Sequence, residues 1–363
     1  MKNLLFKEVM LFIVGVLLLS CNHDVKNNKY TLRQPVDTVG FAQYDWQIDS
    51  VMARINSMFQ KELKAVPGQD TAARTVISPH DDYAYVGWLY PAVLQHVKAK
   101  TVILIGVAHK ARLLHLENQI IFDSYDQWKE PYGNVKASPL REEIISALPE
   151  GLYQVNDSMQ QLEHSVEALI PFLQYNNRDL EIVSILVPYM SYDRMGEIAG
   201  PLADAIFKAV KKHDWQWGKD FAIAISTDAV HYGDKDWGGK DFAYYGTDSS
   251  GYQQALAHEQ EIIGTLTGPL TPGKVKRFTQ YTVEENDYRA YKWTWCGRYS
   301  VPFGLLTSWY LNKLENGQLL KGRFIGYANS IDHPHVPVKD LSMGVTAPAN
   351  RHHWVGYAGV VYY

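Results

Sequence analysis

Five short segments carry side chains that could bind a metal ion or move protons. "TVISPHDDY" ends a β-branched run in His80, followed by Asp81 and Asp82. "TVILIGVAH" ends in His109, and "FAIAISTD" ends in Asp228 with His231 close behind in "STDAVHYG". "LEHSVEALIPFL" carries Glu163, His164 and Glu167, and "KWTWCGRYSVPF" carries Cys296. Taken singly, each histidine is better explained as a turn residue or a hydrogen-bonded core residue. Three strand ends agreeing changes that balance, because open parallel α/β sheets bind ligands at the carboxyl ends of their strands. Two imidazoles and a thiolate together suit a soft or borderline ion such as copper, zinc or iron.

Cys296 stands just before a helix predicted from near Pro302 and two residues from Arg298, a setting that favours the thiolate. The alternative is a small buried hydrophobe. Glu163 reads as a cap at a predicted helix start. His164 beside it reads as an acid/base or as the partner of a metal ligand. Ser165 lies in no G-x-S-x-G turn and is no nucleophile. The histidines of "HPH" (His333 to His335) and "RHHW" (Arg351 to Trp354) sit in loops and are left out of the site.

Apolar, β-rich runs over Thr75–Ser78, Thr101–Val107, Gln119–Phe122, Ile182–Val187, Phe221–Ser226, Phe324–Ala328 and Val355–Tyr362 must position these residues. Between them lie helix-like segments, Trp88–Lys98, Pro139–Leu148, His164–Gln174, Arg194–Lys212, Ser250–Leu266 and Pro302–Leu314. Near-continuous apolar strands separated by crossover-length helices predict a three-layer α/β sandwich with a mainly parallel central sheet. The terminal Trp354–Tyr363 predicts a strand that is antiparallel at one edge. Lys235–Tyr252, rich in Gly and Tyr, reads as a long functional loop. The expected organisation is a signal segment over 1–20, a polar tether over 21–40 and a single domain over 41–363.

The N-terminus has its own pattern. Lys2 and Lys7 precede an eleven-residue apolar run, Val9–Leu19, too short to span a bilayer. The following "LLSC" resembles a bacterial lipoprotein cleavage box, which implies lipidation of Cys21, an exported cell-envelope protein and a membrane-held body. Removing residues 1–20, with two Lys and one Glu, takes the formal charge from −4 to −5. A mildly acidic chain with no basic stripe argues against nucleic acid as a partner. Only two cysteines are present, so with Cys21 lipidated Cys296 has no partner for an intramolecular disulfide.

Six segments in order resemble the Memo-like family, protein B of the AmmeMemoRadiSam group. They are "PHDDYAYVG" (Pro79 to Gly87), "GVAH" (Gly106 to His109), "EPYG" (Glu130 to Gly133), "EHSVEALIPF" (Glu163 to Phe172), "STDAVHYG" (Ser226 to Gly233) and "CGR" (Cys296 to Arg298). The resemblance implies a fold like that of the class III extradiol dioxygenases. It also implies a metal triad of His80, His109 and Cys296, with copper or iron favoured and zinc as the alternative, and a pocket wall containing Asp228 and His231. His231 would act as acid or base near neutral pH. The chain departs from the family where Asp81-Asp82 replaces Ala-Gly and where Lys110 follows His109. Three functions stay open: a metal-dependent oxidoreductase, a metal-dependent hydrolase with Asp81 or Asp82 as base, and a binding protein for a small molecule or peptide. Oligomeric state is not legible.

Overall fold

Residues 30–67 and 72–363 are described by a computed structural model. The predicted signal segment and Cys21 lie outside the described residues. The strands are β1 (Leu32–Arg33), β2 (Thr75–Ser78), β3 (Thr101–Val107), β4 (Ile120–Phe122), β5 (Gln127–Trp128), β6 (Val135–Ala137), β7 (Tyr153–Val155), β8 (Glu181–Val187), β9 (Phe221–Ser226), β10 (His231–Tyr232), β11 (Gly268–Pro269), β12 (Lys321–Asn329) and β13 (Trp354–Tyr362). The seven apolar runs form β2, β3, β4, β8, β9, β12 and β13, and the other six, of two or three residues each, were not expected. The principal helices are α1 (Asp45–Met58), α2 (Leu89–Leu94), α3 (Leu140–Ala147), α4 (Ile170–Asn176), α5 (Tyr192–Lys212), α6 (Ser249–Gly264), α7 (Pro272–Thr282) and α8 (Ser300–Leu314).

The sheet runs β1-β5-β6-β8-β3-β9-β2-β13-β12-β11. Its centre, β6-β8-β3-β9-β2, is parallel throughout. The protein is therefore α/β, with a large mixed sheet whose centre is parallel. Because β9 lies between β2 and β3, the carboxyl ends of the three strands leading to His80, His109 and Asp228 stand side by side. Both faces of these strands are covered, which is why their sequences do not alternate. Ile103, Ile105, Ile223 and Ile225 point into a core shared with Leu202, Ile206 and Leu305. Val102, Leu104, Ala222 and Ala224 point into the opposite one with Ile48, Val51, Leu89 and Phe172. Truncating any one of those isoleucines to alanine would cost about 2–5 kcal/mol.

Three expectations are corrected. The terminal strand β13 is antiparallel but internal, paired to β2 on one side and β12 on the other. Strand β12 and the short β11 extend the sheet beyond it, so β13 can be apolar on both faces. The tether ends earlier than expected, since β1 pairs in parallel with β5. Arg33 is buried there, 2.6 Å from Glu167 and stacked 4.0 Å over the Trp128 ring. The helix expected from His164 begins later, with a 3-10 turn at Glu167–Leu169 leading into α4. Helices α1 and α7 were not expected, although Ile48, Val51, Met52 and Ile55 stand at i, i+3, i+4 and i+7, the spacing of one helical face.

Candidate metal centre

His80 lies just beyond β2, 1% exposed. Its Nδ1 is 2.6 Å from Ser226 Oγ at the end of β9. That hydroxyl gives its own proton to the Ser165 carbonyl, so it accepts from the imidazole. The proton is thereby assigned to Nδ1, and Nε2 is left with a free lone pair. Nε2 lies 3.4 Å from Cys296 Sγ and 3.4 Å from Asp228 Oδ2. The Asp228 carboxylate also accepts the His80 backbone N–H at 2.9 Å, and the Asp228 N–H donates to Cys296 Sγ at 3.1 Å. Gly297 permits this approach, because a Cβ there would meet Thr227 Oγ1 at 2.1 Å.

His109, at the end of β3, is built differently. Its Nδ1 is 2.9 Å from Glu163 Oε1, and its backbone N–H donates to Glu163 Oε2 at 2.7 Å. A carboxylate that takes the Nδ1 proton of a histidine leaves Nε2 to bind a metal. Glu163 also accepts the backbone N–H groups of His164 and Ser165, both at 2.9 Å. It reaches the strand end because position 106 is glycine, where a Cβ would meet Val166 Cγ1 at 2.4 Å and Ser165 Oγ at 2.7 Å. The sequence reading of Glu163 as a cap caught its backbone role and missed its hold on His109. The signal was there: a glycine third in "LIGVAH" and a carboxylate beside a histidine. His164 stacks on His109 with ring centroids 5.1 Å apart and meets His80 edge-on at 5.8 Å.

These residues form two overlapping groups with ligand atoms within 4.8 Å of one another, His80–His109–His164 and His80–Asp228–Cys296. His80 is the shared member, whereas His109 and Cys296 fall in different groups. Asp228 joins the donors, where the sequence reading gave it a catalytic place in the pocket wall.

The electrostatics of the buried group invite a cation. Burial, then the neighbouring carboxylate of Asp228, pushes the Cys296 thiol well up. Burial, then Asp81, pushes Asp228 well up, and burial with the surrounding histidines pushes His80 well down. The expectation that Arg298 would favour the Cys296 thiolate is corrected, since the Arg298 guanidinium packs on the Tyr291 ring at 3.4 Å. All three groups are driven toward their neutral forms, and a bound cation reverses that drive by taking two anionic ligands and a neutral imidazole. The donor set, buried thiol, carboxylate and imidazole with its free nitrogen aimed at both, fits a soft or borderline ion.

His231 opens β10, its Nε2 buried without a partner. Burial, with His109, His353 and His164 nearby, lowers it to about 3. It is a neutral imidazole near pH 7, and burial holds it back from taking up a second ring proton. His164 is also shifted down, by burial first and against the pull of Glu163. Asp82 stands outside both groups. Its carboxylate accepts the Thr346 N–H at 2.6 Å and the Thr346 hydroxyl at 3.2 Å, and burial with Asp81 raises it to about 8. Asp81 accepts the Tyr357 hydroxyl at 2.6 Å and the Asp82 N–H at 2.7 Å. The sequence missed Glu259 altogether. It takes the Trp293 and Trp295 indole N–H groups at 2.6 and 2.7 Å and the Val230 N–H at 3.2 Å, tying the cysteine loop to the turn after Asp228.

A family model described as Memo-like protein matches residues 38–343. MEMO1 family proteins of three archaea are similar. That of Thermococcus kodakarensis is 26% identical over 211 residues, covering 56% of this chain and 66% of its own. That of Pyrococcus horikoshii is 26% identical over 193 residues, covering 51% and 61%. That of Pyrococcus furiosus is 24% identical over 249 residues, covering 66% and 76%. The chain thus spans about two thirds of the length of these relatives. With the matched residues taking in β2, β3, β9, the Glu163 loop and Cys296, the chain belongs to the Memo-like protein family.

Proposed function

We propose that the protein is a metal-dependent oxidoreductase of dioxygenase-like type, its metal held by His80 with Cys296, Asp228 and His109. The observation that carries this reading is the position of His80 Nε2, 3.4 Å from both Cys296 Sγ and Asp228 Oδ2. The thiol among the donors suits a soft or borderline ion; copper or iron, which the family resemblance favours over zinc, would when bound supply one-electron chemistry and Lewis acidity. Ser226 keeps the Nδ1 proton of His80 in place, and Glu163 does the same for His109. His231 offers the pocket a neutral imidazole whose Nε2 has no partner, with His164 stacked beside His109 as a second imidazole. The hydrolase reading is less well supported, because both aspartates it would use as base are engaged with Tyr357 and Thr346.

The same proposal extends to fold and place. A mixed sheet with helices on both faces and donors at its carboxyl edge supports an extradiol-dioxygenase-like sandwich. The basic and apolar N-terminus and "LLSC" support an exported bacterial lipoprotein of the cell envelope, held to a membrane through Cys21. Among the described residues no helix is long and apolar enough to cross a membrane. The ligand is a small molecule or a peptide.

Metal analysis of untagged wild-type protein and of Cys296→Ser is the test. Copper or iron near one equivalent, lost in the variant, is the expected result. Zinc at that level would move the reading to the hydrolase. No metal in either protein would leave a binding protein.

A further inference from the structure

Three arginines are buried among the described residues, Arg33, Arg141 and Arg298. Arg33 has Glu167 at 2.6 Å, and Arg141 has Asp123 at 2.9 Å. Arg298, 2% exposed, has no carboxylate within ion-pair distance among the described residues. Its Nη2 donates to the Arg289 carbonyl at 3.0 Å and its side chain acts on the Tyr299 hydroxyl, while Nε and Nη1 are buried without a well-aligned acceptor. A guanidinium taken out of water costs several kcal/mol unless it is paired. The Tyr291 face, 3.4 Å from the guanidinium carbon, returns about 2 kcal/mol of cation–π attraction, with the Tyr299 ring further off at 4.8 Å. Arg33 stacks on an indole as well, and still has its carboxylate.

The surroundings of Arg298 are cationic and aromatic. Arg112 lies 4.9 Å from the Tyr189 ring, and Arg298 lies 5.7 Å from the same ring. Tyr291 is within electrostatic reach of Arg298, Arg112 and Cys296 together. Ring contacts run from His231 through Trp237 and Phe242 to Tyr291, at 5.3, 6.2 and 6.2 Å. The unpaired cation is thus joined through these rings to His231 of the metal pocket.

We propose that Arg298 is an oxyanion anchor: the ligand that enters beside Cys296 carries a carboxylate or phosphate group, which this guanidinium binds over the face of Tyr291. The inference deepens the metal reading and rests on it only for the ligand's second point of attachment. An oxyanion supplies the charge and the acceptors that Nε and Nη1 lack, and guanidinium is the side chain best shaped to receive them.

Calorimetric titration of the full chain with benzoate and with inorganic phosphate tests this. Wild type should bind at least one of them saturably, Arg298→Gln at least tenfold more weakly, and Arg298→Lys at an intermediate level. A preference for benzoate marks a carboxylate ligand and a preference for phosphate a phosphoryl one, and either supports the anchor. Absence of saturable binding by wild type, or equal binding by Arg298→Gln, overturns it. Thermal melting of ligand-free Arg298→Met gives an independent reading. An unchanged or higher Tm supports a charge kept for a ligand, whereas a fall of more than about 5 °C in Tm shows a structural arginine and overturns the proposal. Repeating the titration on wild type stripped of metal with a chelator keeps the two ideas apart: probe affinity within twofold of the untreated protein supports the anchor, whereas binding lost with the metal places the probe on the metal and overturns it.

Discussion

The His109 side and the Cys296 side of the centre prepare their donors in opposite ways. At His109 the neighbouring carboxylate is ionised. Burial opposes the charge of Glu163, yet His109, its ring hydrogen bond, His164 and the Ser165 N–H hold it down at about 2. At Cys296 the thiol, Asp228 and Glu259 are all shifted the other way, Glu259 to about 7, with burial the largest cause each time. One side is paired internally and stands ready by itself. The other stores unfavourable burial that a cation relieves, so binding on that side should be coupled to proton release.

The sharpest way to break the contrast is Cys296→Ser, which replaces a soft donor with a weak one. Metal content should fall from near one equivalent to below about a tenth, measured by elemental analysis, while melting of the metal-free protein stays within a few degrees. Retained metal would show that the cysteine side does not bind it.

Glu163→Gln tests the other side. A carboxylate depressed to about 2 stabilises the fold above its unfolded value near 4.5 and loses that contribution as pH falls through 2. The variant should therefore be about 3 kcal/mol less stable at pH 7, by denaturant unfolding, with the gap closing toward pH 2. Metal affinity should drop about 10–100-fold as His109 loses its orienting partner.

Glu259→Gln predicts a pH effect of reversed sign. With its folded value near 7, Glu259 contributes stability that is complete below about pH 4.5 and fades as pH rises through 7. The glutamine, still accepting from both indoles, should flatten the fall in stability between pH 5 and 8 by about 1–2 kcal/mol. A parallel slope in both proteins would place the proton elsewhere. The smallest change is expected from Asp82→Asn, because a carboxyl raised to about 8 is already neutral at pH 7 and bonds Thr346. Its metal content should stay within twofold of wild type, and a larger loss would return Asp82 to the site.

Much of this arrangement was legible before any coordinates. The strands ending in His80, His109 and Asp228 announced themselves as apolar runs because both sheet faces are covered, and parallel strands must end on one edge. Less was legible where a residue's role depends on what meets it. The two aspartates after His80 read only as the base of one open alternative, a hydrolase. One is held instead by Thr346, 264 positions away, and the other by Tyr357, 276 away. Arg298 read as a neighbour of the thiol because only Gly297 separates them in sequence, but its side chain turns to Tyr291.

The sequence by itself determined the sheet, the edge on which its polar residues gather, and the residue types able to bind a soft metal there. Local apolar patterning and the direction of parallel strands are enough for that. Only the tertiary structure decided which imidazole nitrogen is free, that Asp228 sits with His80 and Cys296, that Glu163 holds His109, and that one buried arginine has no counter-charge. Those outcomes depend on partners brought together from distant parts of the chain, and on burial that shifts each group's charge once they meet.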